Sequence, residues 1–103
     1  MDQVPLKELP RLEGLLIKIQ DEWNKAEQDI KQAEQVNNKV VFPAIKELRY
    51  GGRREIDALA CLGKNDPAAE KYLNDALFDC HRARHDAIDA TISHIAVETN
   101  VIV

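Results

Sequence analysis

Apolar residues recur at steps of three and four along the first third of the chain, which is the spacing of one face of a helix. The pattern runs from Leu9 to Ala33 and is close to a heptad seam. Pro10 suits the first turn of a helix, where its missing N–H is not needed. The pattern therefore predicts a long amphipathic helix over residues 10–36.

A second helix is predicted over residues 40–62, because apolar positions again share one stripe at about 100° per residue. That stripe consists of Val41, Ile45, Leu48, Gly52, Ile56 and Leu59. Asn37 and Asn38 form a natural stop and restart before it, since Asn tolerates the left-handed conformation and also caps helices. Alternatively, the first helix runs through to Val41 and turns at Phe42-Pro43.

The segment after Gly63 predicts a turn and a third helix over residues 67–99. Asn65 or Asp66 can serve as the N-cap, and Pro67 fits the first helical position. The apolar stripe of this helix is predicted to contain Leu73, Leu77, Cys80, Ala87, Ile88, Thr91, Ile92 and Ile95. Short turns favour an up-down-up arrangement. We therefore predict an all-α fold, an antiparallel bundle of three long helices in a single domain.

Two adjacent glycines, Gly51 and Gly52, lie in the second helix, which this pattern makes the organising element of the chain. Each costs a helix about 1 kcal/mol relative to Ala. Ala44, Gly51 and Ala58 recur every seven residues along the edge of the stripe. This seam predicts close packing of a neighbouring helix against Ala44, Gly51, Gly52 and Ala58, and the alternative is a kink or π-bulge at the glycine pair.

Two charged residues, Glu55 and Arg84, fall on apolar stripes. An antiparallel register places Glu55 near the level of Asp75 and Arg84 near that of Lys46, which separates the two charges by roughly 13 Å along the axis. They are therefore not expected to pair within one chain.

Each of these two charges needs a different explanation, because a buried charge requires a partner. Arg84 is expected within reach of Glu27 or Glu34 on the first helix. Glu55 either meets a partner across a dimer interface, where such a pair sets the register, or extends to water at an exposed edge.

The end of the third helix is predicted to overhang the second, which covers it only to about residue 92 at ~1.5 Å per residue. The overhang carries Ile95 and ends in Val101, Ile102 and Val103, all apolar. Exposed apolar patches usually mark an association surface. We therefore predict a homodimer or other homo-oligomer with Glu55, Arg84, Ile95, Val101 and Ile102 at its interface, or a chain that is the N-terminal piece of a longer protein with a further partner or downstream domain.

His81, His85 and Asp89 follow one helix edge at steps of four, the spacing at which two histidines share a metal ion. The set is incomplete, and the nearby Arg49 opposes a cation, so these residues are interpreted as solvated or hydrogen-bonded. A metal-dependent activity at this edge is kept as an alternative.

Arg49, Arg53 and Arg54 form a basic cluster that is the candidate site for an anionic ligand or a nucleic acid backbone. Internal ion pairs account for most of it, since Asp57 follows Arg53 by four residues and Asp75 lies at a similar level.

The 103 residues carry a net charge of −4, which gives no bulk attraction to nucleic acid or to an anionic membrane. There is no apolar run of the length of a membrane span, no signal peptide and no expected disulfide between Cys61 and Cys80, which indicates a cytoplasmic protein. The chain has no phosphate-binding glycine loop, no metal-type cysteine pair and no convincing catalytic triad. We therefore predict a non-enzymatic interaction or oligomerisation module without a cofactor.

Overall fold

A computed structural model describes residues 9–100, with the side chains of residues 10–96. Three helices occupy this range: α1 spans Leu9–Asn37, α2 spans Phe42–Gly63 and α3 spans Ala68–Asn100. There is no strand in the described part. The all-α prediction is confirmed, and each helix boundary lies within two residues of its predicted position.

Interhelical ion pairs give the helix directions. Arg54 pairs with Asp75 at 3.4 Å and Arg82 with Glu47 at 3.6 Å, so α2 and α3 are antiparallel. Along α1, Arg11 pairs with Glu70 at 2.9 Å. Later in both helices, Arg84 of α3 pairs with Asp29 of α1 at 2.8 Å, so α1 and α3 run parallel. The arrangement is up-down-up, as predicted.

The central helix is α3, and the prediction that the second helix organises the chain is wrong. Both α1 and α2 pack along α3, whereas they touch each other only sparsely. Asp79 contacts α2 and Arg84 contacts α1, and these positions lie about 140° apart around α3. The buried apolar residues of α3 are Ala69, Leu73, Ala76, Cys80, Ala83 and Ala87. Most are small, which lets a helix approach α3 on either side.

A seam of small residues joins α2 to α3. Ala44, Gly51 and Ala58 are buried. A Cβ atom built on Gly51 would lie 3.3 Å from both the Ala76 carbonyl oxygen and the Asp79 Cβ. The helices therefore approach closely at this point, where a side chain on α2 would require α3 to shift by a few tenths of an ångström. The α2 segment stays α-helical through both glycines.

Gly52 faces the other neighbouring helix. A Cβ atom there would lie 3.2 Å from Cη2 of Trp23 on α1. Gly51 thus makes room for α3, and Gly52 makes room for the indole ring of Trp23 on α1.

The predicted apolar stripes of α2 and α3 are partly wrong. Ile56 and Leu59 on α2 are 59% and 53% exposed, and on α3 Ile88, Ile92 and Ile95 are exposed as well. The reason is rotational, since each helix turns its small residues towards the other and so leaves these large apolar residues facing outwards. Val101 and Ile102 lie outside the described residues.

The turn between α2 and α3 is built around Asn65, which adopts a left-handed φ of 53°. The Asp66 N–H donates to the Cys61 carbonyl at 2.8 Å and the Asn65 N–H to that of Leu62 at 3.1 Å, which is a Schellman motif. The Asp66 Oδ1 then accepts a 2.9 Å hydrogen bond from the Ala68 N–H. Asp66 is therefore the N-terminal cap of α3. Asn38 has a left-handed φ of 56° after α1, where a stop was predicted.

Replacing Gly51 with Ala should destabilise the fold by about 1–3 kcal/mol, because the added methyl group meets the backbone and Cβ atoms of α3. Gly14→Ala is the matched control, since Gly14 is exposed in α1 and a Cβ there meets nothing within 4 Å. That variant should gain about 0.5–1 kcal/mol from helix propensity alone. Urea denaturation compares the two, and equal gains in stability would show that the seam has room for a side chain.

Candidate interaction surface

A groove lies open between α1 and α2, because the two helices sit on different sides of α3. One stretch has a volume of about 260 Å³ and is lined by Trp23, Glu27, Ile30, Lys31, Glu34, Ile45, Leu48 and Arg49. A second stretch of about 210 Å³ is lined by Gln20, Trp23, Asn24 and Glu55. We call this surface the α1–α2 groove, and Trp23 is common to both stretches.

The floor of the first stretch of the groove is apolar, whereas polar side chains line most of the second stretch. Ile30 and Leu48 line it and are also buried members of the core, so that the core continues into the groove. Leu59 follows Gly52 by seven residues and Ile56 follows it by four, which puts both on the Trp23-facing side of α2. The two exposed side chains therefore extend the same surface towards the end of α2.

Charged residues border the groove without partners. Within the described part of the chain, Glu27, Lys31, Glu34 and Arg49 make no ion pair, although all four line one stretch of the groove. Glu27 and Arg49 thus face each other from opposite helices without contact. Glu27 and Arg49 carry opposite charges and would attract each other, but the groove lies between them.

Glu55 is half-buried at the other stretch of the groove. Among residues 10–96 its carboxylate finds no hydrogen-bond or ion-pair partner, although Gln20 and Asn24 line the same space. Burial raises the pKa of the Cys80 thiol to about 11, and the charge of the Glu55 carboxylate adds to this rise.

Arg84 is held by two carboxylates of its own chain. Its Nε donates to Asp29 Oδ2 at 2.8 Å and its Nη1 to Glu22 Oε2 at 3.0 Å. The prediction that Arg84 pairs with Glu27 or Glu34 is wrong. Those two side chains face the groove, whereas Arg84 approaches α1 from the α3 side. The hydrogen bond from Arg84 holds the pKa of Glu22 below its ordinary value. This network attaches α1 to α3.

Asp79 is the buried acid of the α2–α3 contact, with 4% of its surface exposed. Arg54 Nε lies 3.2 Å from its Oδ2, but no donor in the described part is aligned for a hydrogen bond to that oxygen. Burial raises the pKa of Asp79, and the Arg54 charge opposes the rise only in part.

Of the candidate metal residues, His85 and Asp89 contact each other, whereas His81 turns to Glu22. His81 Nδ1 lies 3.2 Å from Glu22 Oε2, and His85 Nδ1 lies 3.4 Å from Asp89 Oδ2. Nowhere along the described range are three His, Cys, Asp or Glu side chains placed to share a metal ion.

The basic cluster is largely engaged with acids of the same chain. Arg53 pairs with Asp57 at 3.4 Å, and Arg54 pairs with Asp75 at the same distance. Arg49 alone of the three arginines has no ion pair among the described residues, and it belongs to the border of the α1–α2 groove.

A larger depression of about 630 Å³ lies where the α1–α2 turn meets α3. Val40 and Phe42 line it and are exposed. The Asn37 amide donates to the carbonyl oxygens of Ala33 at 2.9 Å and Ala90 at 3.4 Å, so this polar group fastens α1 to α3. We do not assign a ligand to this depression.

No protein-family model, no curated protein and no solved structure matches this chain. Over residues 9–100, no helix combines the length and the apolar content required to cross a membrane. The description of the site therefore depends on its geometry.

Sequence reasoning did not recognise the groove-bordering role of Trp23, Gln20 and Asn24. The available signal was Gly52, since a glycine on the α1-facing side of α2 leaves space for a large neighbouring ring. Glu27 and Glu34, predicted as partners of Arg84, line the groove instead.

Opposite pH dependences are expected for Asp79→Asn and Glu22→Gln. Because the folded pKa of Asp79 is raised above 3.8, the wild-type protein loses the stabilising effect of the protonated form as pH rises through that folded pKa. The stability of Asp79→Asn relative to wild type should therefore increase with pH above 3.8.

The folded pKa of Glu22 is lowered below 4.5, so its contribution to stability is present above 4.5 and is lost as pH falls through the folded value. Glu22→Gln should be less stable than wild type at pH 7, and the difference should disappear in acid. Thermal melts between pH 3 and pH 7 measure both effects. Growing destabilisation of Asp79→Asn with rising pH would show instead that its pair with Arg54 dominates.

Proposed function

We propose that this protein is a non-enzymatic helical interaction module that self-associates. The observation that carries the proposal is the α1–α2 groove, which leaves the apolar core open along one side. Its walls continue into Ile56 and Leu59, both more than half exposed. Continuous apolar surface of this kind usually marks an association site.

Burial energetics support the same proposal. Fully burying a Leu or Ile side chain contributes about 1.5–3 kcal/mol. The contact between α2 and α3 uses mainly small side chains, and Ile56 and Leu59 of α2 stay exposed, so these two residues contribute little to the stability of the isolated chain. Association would recover that contribution.

A second apolar region lies near the end of α3, where Ile88, Ile92 and Ile95 are exposed. The predicted association surface at Ile95, Val101 and Ile102 includes this region and residues beyond the described range. The proposal favours the α1–α2 groove over this region because the groove is continuous with buried core residues.

Glu55 is the better candidate for setting the register of association. Arg84 already has two carboxylate partners in its own chain, whereas Glu55 has none in the described part. A role for either residue across an interface stays a prediction.

The alternatives have weaker support. Binding of an anionic ligand through Arg49, Arg53 and Arg54 would have to displace the ion pairs to Asp57 and Asp75. A metal-dependent activity at His81, His85 and Asp89 would require those side chains to turn from their present partners. We also propose a cytoplasmic location, which is consistent with free thiols at Cys61 and Cys80.

Light scattering over a concentration series tests the proposal. We expect the wild-type protein to reach at least the mass of a dimer, and Leu59→Glu to weaken association because it puts a charge on the groove. Ile92→Glu should have a smaller effect.

Ile17→Glu is the matched control. Ile17 is 62% exposed and lies about 160° around α1 from the buried Ile19, so it faces away from the core. It should leave the mass unchanged. A monomeric wild-type protein at all concentrations would contradict the proposed function.

A further inference from the structure

We propose that a second copy of this chain covers the α1–α2 groove, related by a two-fold axis that runs parallel to the helices. In this arrangement α1 of each copy lies over the partner's α2. The inference rests on the proposed self-association and specifies its surface and geometry.

Charge complementarity selects the partner. Arg49 and Glu27 border the same stretch of the groove, and neither has an ion pair in the described part of the chain. Trp23 lies against Gly52, so in antiparallel helices Arg49, three residues before Gly52, is near the level of Glu27, four residues after Trp23. A two-fold axis parallel to the helices preserves level. It therefore brings the partner's Glu27 over Arg49, and it does so twice because the interface is isologous.

The second stretch of the groove behaves in the same way. Glu55 is half-buried without a partner among residues 10–96, and Gln20 and Asn24 share its level on α1. The same axis brings the partner's Gln20 and the partner's Asn24 over Glu55. Their amide groups are hydrogen-bond donors, which a carboxylate away from bulk water requires. One symmetry operation thus provides partners for both isolated charges.

Helix direction agrees with this placement. Since α1 and α2 are antiparallel within a chain, placing α1 over the partner's α2 gives four helices whose neighbours all run antiparallel. This is the up-down arrangement of four-helix bundles, and it alternates the helix dipoles. The two copies of α3 remain on the outside.

The face that carries the groove is of the same order of size as one side of a stable interface. The 22 residues of α2 extend about 33 Å. The molecule is 20 Å across in this dimension, so the face that carries the groove presents at most about 660 Å² of projected area per copy, compared with about 800 Å² in a typical stable complex.

A two-fold axis perpendicular to the helices gives a different pairing. It lays α1 on the partner's α1 and α2 on the partner's α2. Arg49 then faces the partner's α2 instead of the acidic border of the partner's α1. Arg49 and the partner's Glu27 therefore stay apart. The charge pattern therefore favours the parallel axis.

Disulfide trapping tests the arrangement directly. Glu27→Cys chains are mixed with Arg49→Cys chains, both carrying Cys61→Ser, and oxidised; the remaining Cys80 is fully buried. We expect a covalent dimer from the mixture and little from either variant alone, because a disulfide requires Cα atoms within about 7 Å. The comparison mixture of Arg49→Cys and Glu55→Cys chains should not cross-link efficiently, and preferential linking of that pair would overturn the proposed axis.

Charge reversal provides a second readout, the dissociation constant measured by sedimentation equilibrium. Arg49→Glu and Glu27→Arg should each weaken association about tenfold, which corresponds to about 1.4 kcal/mol. Both changes in one chain should restore affinity to within about threefold of wild type. Additive weakening in the double variant would contradict the proposed contact.

The two hypotheses fail in different ways. A wild-type protein that stays monomeric at every concentration removes the proposed self-association, and this inference with it. A wild-type dimer that neither links positions 27 and 49 nor responds to charge reversal leaves self-association intact and overturns only this arrangement.

Discussion

The close approach of α2 to α3 is the constraint on which the rest of the structure depends. It favours a small residue at position 51, where a Cβ atom added to the glycine would lie 3.3 Å from the Ala76 carbonyl oxygen and from the Asp79 Cβ atom. The seven-residue spacing of Ala44, Gly51 and Ala58 repeats the same condition one heptad away in each direction. Because small residues form the contact, Ile56 and Leu59 turn away from α3. The exposed apolar surface of the molecule is thus a consequence of how its core is made.

The attachment of α1 follows from a different interaction. Arg84 reaches across from α3 to Glu22 and Asp29, while the Trp23 ring rests against Gly52 on α2. These contacts hold α1 beside α3 without bringing it fully onto α2. The α1–α2 groove is the space that results, and its charged border has no partners inside the described part of the chain. Packing, electrostatics and the proposed association are therefore connected.

Much of this fold could be predicted from apolar periodicity and turn chemistry, including the three helices, the cap at Asp66 and the up-down-up order. The rotation of each helix could not be predicted. The apolar pattern gives most weight to large residues such as Ile56 and Ile92, whereas small residues form the actual contacts between the helices. Alanines on α3 carry little hydrophobic signal individually, although Ala69, Ala76 and Ala83 share the heptad spacing of the seam on α2. The partners of Arg84 were also missed, since long side chains on one helix can reach more than one turn.

The emission of the single tryptophan, Trp23, is the most direct test of the claim that a second copy covers the α1–α2 groove. Its ring lines both stretches of the groove, so removing a covering copy should increase its contact with water. The measurement is a dilution series that follows fluorescence and mass together. We predict that on dilution the Trp23 emission maximum shifts to longer wavelength over the same concentration range in which the mass falls to that of a monomer. A maximum that stays constant while the dimer dissociates would show that the copies meet at another surface.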